Sequence, residues 1–342
     1  MQLRMSSIPL MLEYVSGLRS YQENREAIRR ILAHEDYQYE LRRYGISPAE
    51  HLIDYFSRLD TIPPEDIPDL SANHRRNHLR EKHGQWLDCA ASPQKYQDRY
   101  ERLKAFFTDD FLAEMQGKLA SMFPAGTEMI SDPAVISTLS IGRSFGYVHE
   151  GALHLDLFGI ERDCSIEELP RVILHEMHHL QALKMAEGIP GGQSLLDQYI
   201  RGFAWEGLAV KFCNNAEGVI SKRIEPEQPP NLGVPAIPAL NAHFAEHFDL
   251  FCATVSRIRA GQFSREDMDR QYAEVWQNPY LYGREPLAQM AVYSLGNELY
   301  GCVYDHFGLD AVYECFHYPD RLTGYFNRAD CGYKIPAQLH AC

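Results

Sequence analysis

The chain has 342 residues, 45% hydrophobic and 23% charged, which are the proportions of a globular protein long enough for a sizeable core plus helical additions. A formal charge of -14 argues against a phosphate-binding surface, so nucleic acid is not an expected partner. The apolar run at the N-terminus is too short for a signal peptide and no 18-residue apolar stretch occurs, so no membrane association and a cytoplasmic location are expected; nothing in the pattern bears on oligomeric state.

Residues 9 to 122 carry apolar residues at helical spacing throughout. Ser47-Pro48-Ala49-Glu50 has the form of a helix start, with a serine cap, proline at the first helical position and glutamate at the third. The prolines of Thr61 to Pro68 break helix and join two layers. His74, His78 and His83, interleaved with Arg75, Arg76, Arg80 and Lys82, read as a solvated helix face. One long amphipathic helix is expected over 95 to 122.

The character changes at Pro124-Ala125-Gly126. Ala134 to Ile141, Ser144 to His149 and Ala152 to Phe158 are rich in β-branched and aromatic residues, and Leu153, Leu155 and Leu157 alternate with His154 and Asp156 as in a strand with one buried face. These runs predict a small, mostly antiparallel sheet. A helix follows, with Ser165 as cap, Glu168 completing a capping box, and Leu169, Val172, Ile173, Leu180 and Leu183 facing the core. Gly188 to Gly192 turns the chain into a second helix from about Ser194 to Cys213. Residues 223 to 240 form a proline-rich loop, and helices resume from Ala239. The fold class is therefore α+β and predominantly helical, in three parts: a helical region at 1–123, a core at 124–222 and a helical region at 223–342.

The eight cysteines show no CxxC pair, so neither a structural zinc cluster nor a disulfide framework is visible, and they read as reduced, mostly buried thiols. The chemistry concentrates in His175-Glu176-Met177-His178-His179. Four residues apart on a helix, His175 and His179 project from one face and can grip one ion. Glu176 points about 100° away from His175, where it can reach a water without being a ligand. A catalytic zinc site needs a third protein ligand. Glu187 lies about 12 Å further along the helix than His179, out of reach. Asp197 is close to the turn. Glu206 is the best candidate, because a helix returning after the glycine turn brings a mid-helix carboxylate back beside the histidines, and Gly207 and Ala209 allow close helix approach. The metzincin continuation is absent, since Ala182 and Met185 stand where that class has Gly and His.

With Glu206-Gly207-Leu208-Ala209, which looks like a Glu-Gly-x-Ala signature, the motif resembles those of the gluzincin metallopeptidases over roughly residues 140 to 212. The whole chain is similar to a bacterial family described as zinc-dependent peptidases of unknown substrate. The resemblance implies a zincin-like core, one zinc per chain held by His175, His179 and Glu206, and Glu176 as catalytic base. It further implies an oxyanion-stabilising tyrosine from a downstream helix: Tyr293 first and Tyr300 second, with a core-packing role open for both. Tyr280 to Arg284 could contribute a recognition loop, with Arg284 on a peptide carboxylate. The Gly-x-Met-Glu-Asn signature that holds a substrate amino terminus is missing, so exopeptidase activity is not implied. The expected function is zinc-dependent cleavage of a peptide. The alternatives are hydrolysis of a small non-peptide amide, or a catalytically silent binding module.

Overall fold

The computed structural model describes residues 2–47, 49–68, 79–142, 144–189, 194–230, 236–282 and 290–337. Four strands, β1 (Gln2–Arg4), β2 (Ala134–Thr138), β3 (Gly146–His149) and β4 (Ala152–Asp156), make one sheet in the order β1-β2-β4-β3. The sheet is mixed, which corrects the expected mostly antiparallel one: β1 with β2 and β2 with β4 are parallel, and only β3 with β4 is antiparallel. The local hairpin was legible, because Glu150 (φ 43°) and Gly151 (φ 73°) both adopt the left-handed conformation of a tight turn that suits strand twist. The hairpin folds β3 out to the edge and leaves β4 beside β2, running the same way.

Among the described residues, the first of two units, residues 1–116 with 130–176, holds α1 (Ser7–Ser16), α2 (Tyr21–Leu32), α3 (Glu35–Tyr44), α4 (Glu50–Ser57), α5 (Leu79–Ala91), α6 (Pro93–Phe106), most of α7 (Asp109–Ser121) and the start of α8 (Leu169–Glu187). The helix α4 starts at Glu50 with Ala49 at its cap and no side-chain cap bond; Pro48 lies outside the described residues. The single helix expected over 95 to 122 is two. Thr108 ends the first and starts the second by accepting the Phe111 amide on its hydroxyl at 3.2 Å, ahead of an acidic first turn.

Aromatic packing organises the interior of this unit, with Trp86 edge-on to Phe56 and to Phe158, centroids 4.8 Å apart in both cases. Beside it lies a buried polar network. All five residues of β4 are buried, so its polar positions are not a solvated face: His154 shares a 2.8 Å hydrogen bond with Thr138, and Asp156 pairs with Lys82 and accepts the Ser140 amide. Glu40 accepts the Ser140 hydroxyl and the amides of Ile141 (2.8 Å) and Gly142 (3.1 Å). Lys82 and His83 are therefore interior, His83 against the Tyr55 hydroxyl at 2.9 Å, which overturns the solvated-face reading; His74 and His78 lie outside the described residues. Burial cannot be inferred from charge alternation when a partner waits on a strand.

The second unit, residues 117–129 with 177–342, holds the rest of α8, then α9 (Leu195–Ala209), α10 (Ala236–Asn241), α11 (Phe244–Arg259), α12 (Arg265–Gln271), α13 (Ala291–His317) and α14 (Arg321–Ala329). The helix α9 runs into a π-helical turn, Val210–Asn214, which Asn215 ends at φ 49°. The helix α10 begins at Ala236, and Pro238 fits its first turn, where amides need no intrahelical acceptor. Gly308 (φ 79°) kinks α13. Where α9 meets α13, a Cβ on Gly207 would stand 2.3 Å from the Gly296 carbonyl carbon, and one on Gly296 would stand 2.3 Å from the Phe203 oxygen. These two glycines permit backbone-to-backbone contact. Downstream, Glu298 on α13 accepts the amides of Val219, Ile220 (3.0 Å) and Ser221 (2.8 Å), while Lys211 pairs with Asp305 at 2.6 Å. No described cysteine is in a disulfide; five are buried and Cys252 and Cys331 are half-buried, with Cys342 outside the described residues. Among the described residues no helix is long and apolar enough to cross a membrane.

Candidate metal centre

The helix that carries the motif begins where Ser165 and Glu168 bond: the Glu168 carboxylate accepts the Ser165 amide at 3.3 Å and its hydroxyl at 2.8 Å, and the first regular turn follows at Leu169. From Ile173 to Ala182 every residue but Glu176 is buried, so α8 is an interior helix rather than a one-faced one. Val172 is half-buried, and Leu183, expected in the core, is 46% exposed because the helix emerges at its C-terminal end.

Ligand atoms of His175, His179 and Glu206 all lie within 4.8 Å of one another. His179 Nε2 and Glu206 Oε2 are 3.2 Å apart, close to the edge of about 3.4 Å that a tetrahedron with bonds of about 2.1 Å requires. Two neutral nitrogens and one carboxylate form the donor set of a catalytic zinc site, with a fourth position left for water. The residues therefore fit the ion. Both histidines are nearly buried, and the Glu206 side chain is 25% exposed. The other carboxylates weighed as ligands are accounted for. Asp197 forms a capping box with Ser194, accepting its amide at 3.1 Å, and Glu187 is the last residue of α8.

Glu176 is half-buried, and its carboxylate rests against the first residue of β3: a Cβ on Gly146 would lie 3.1 Å from Glu176 Oε1. Glu176 therefore lies against the backbone of an edge strand. That contact was missed from sequence; the available signal was a glycine opening a strand, which often marks close approach of another group. Tyr293 lies in the first turn of α13, half-buried, one turn before the Gly207–Gly296 contact. Tyr300 is fully buried and donates its hydroxyl to the Ile200 carbonyl at 3.3 Å, which makes it a core tyrosine. Tyr280 and Tyr282 are exposed; Gly283 and Arg284 lie outside the described residues, as do Pro190 to Gln193.

The family described as "Putative zinc dependent peptidase (DUF5700)" matches residues 28–330. The chain belongs to this family. Membership of DUF5700 spans β2 to β4, α8, α9 and α13, and so includes every residue of the candidate centre. No curated protein and no solved structure matches the chain.

Proposed function

We propose that the chain is a zinc peptidase of gluzincin type, in which His175, His179 and Glu206 hold the ion, Glu176 is the base and Tyr293 donates to the developing oxyanion. The observation that carries this reading is the convergence of the three donors within 4.8 Å from two successive helices. When bound, zinc supplies a water of lowered pKa and polarises the scissile carbonyl. Glu176 takes the proton of the attacking water and delivers it to the leaving nitrogen. Its contact with Gly146 supports a peptide over a small amide as substrate: β3 is an edge strand, and its outward main-chain groups can hydrogen-bond an extended chain laid beside the base.

Incubation with a diverse peptide mixture, read by mass spectrometry, tests the proposal. Wild type is expected to give cleavage with a shared preference around the scissile bond. Glu176→Gln is expected to retain one zinc per chain and to lose about three orders of magnitude in kcat, the middle of the range for removing a general base. Persistent cleavage by that variant, or absence of zinc from the wild type, would overturn the mechanism.

A further inference from the structure

The motif holds a third histidine, His178, which the proposed chemistry does not use. It is fully buried. Its ring stacks on Phe123 (centroids 4.9 Å apart, planes 28° apart) and on Phe212 (5.9 Å, 29°), and its Nε2 shares a 3.0 Å hydrogen bond with the Tyr313 hydroxyl. Tyr313 itself packs on Phe123 at 5.0 Å and lies nearly parallel to Phe212. The three residues come from three places: the segment after α7, the π-helical turn that ends α9, and the far half of α13.

Helix geometry gives this slot a meaning. At about 100° per residue, His175 and His179 point in directions about 40° apart, and Glu176 and His178 lie about 80° to either side of their mean. A rotation of α8 about its axis by about 20° would swing the His175 and His179 nitrogens, several Å from the axis, by more than 1 Å, and would displace Glu176 as well. A ring stacked on two others and bonded at its edge resists that rotation. Phenylalanine could fill the same slot but would leave the buried Tyr313 hydroxyl without this bond.

We infer that His178 is a positioning residue: stacked on Phe123 and on Phe212 and bonded to Tyr313, it sets the rotation of α8 at which His175 and His179 meet Glu206. The inference rests on the zinc reading given above. It accounts for why Phe212, six residues beyond Glu206 on the same continuous stretch of chain, packs on the metal helix.

The test measures the metal rather than turnover. Zinc affinity by chelator competition, and the visible spectrum of the cobalt-substituted protein, are compared for wild type, His178→Phe, Tyr313→Phe and the double variant. Each single variant is expected to bind zinc about tenfold more weakly, as for loss of a group that orients a ligand, with shifted cobalt bands. The double variant should be no weaker than the weaker single, since the pair acts as one device. A folded single variant with zinc affinity within twofold of wild type and an unshifted cobalt spectrum would overturn the inference, even with a lowered Tm, because a merely structural role moves Tm alone. Should His178→Phe fail to fold, Tyr313→Phe carries the same two outcomes. Wild type that takes up no zinc would overturn the proposed function and this role with it; variants indistinguishable from a zinc-binding wild type overturn this role alone.

Discussion

Glu176 and Gly146 show how a single missing methyl can shape a site. Alanine at position 146 would press its Cβ to about the closest distance that side-chain contacts tolerate, and Glu176 Oε1 would have to give way. Gly146→Ala is expected to lower kcat by about tenfold with zinc affinity unchanged, a loss that should vanish in the shorter-armed Glu176→Asp background; a steady-state double-mutant cycle measures it. The pair His175 and His179 was legible in the sequence because four-residue spacing on a helix is local geometry. Glu206 was legible once a return turn was assumed. Gly146 and the slot around His178 were not, because each depends on residues thirty or more positions away that no local pattern announces.

Between elements, α9 and α13 come backbone to backbone at Gly207 and Gly296. Gly207 stands next to Glu206, so the contact that packs α9 also fixes a proposed ligand. Gly207→Ala would force the two backbones apart and is expected to cost about 1–3 kcal/mol of stability as overpacking, and to weaken zinc binding together with it. Thermal unfolding and zinc titration check both. Gly84→Ala on α5, where an added Cβ meets nothing within 4 Å, serves as control and should gain up to about 1 kcal/mol. The sequence indicated that small residues here meant close packing but could not name the partner helix. The same limit explains the sheet: strand positions and the hairpin are local, whereas parallel pairing of β2 with β4 and the joining of β1 are long-range. The break at Thr108 is different, since a threonine followed by two aspartates was a readable helix start that the continuous apolar pattern masked.

For the whole molecule, the buried polar network of the first unit sets the response to acid. Burial holds His154 neutral and lowers its pKa to about 3, from 6.5. The unfolded chain therefore binds a proton below pH 6.5 that the folded one refuses until about pH 3, and the stability present above pH 6.5 is lost progressively across that window. Glu40 and Asp156 act in the opposite sense, since burial raises both and their folded forms take protons more readily on acidification. His154→Gln, which can keep a bond to Thr138, isolates the histidine: urea midpoints between pH 7 and pH 4 should fall more steeply for wild type, by up to about 1.4 kcal/mol per pH unit. In the second unit, Glu298 receives three successive amides of the segment from Val219 to Ser221, doing for a stretch without strand or helix what a neighbouring strand does in a sheet. That arrangement ties lineage to geometry. A relative that shortens the segment must also give up the acid at the position of Glu298, or it inherits a buried anion with nothing to hold, so loop length and helix residue can drift only as a pair.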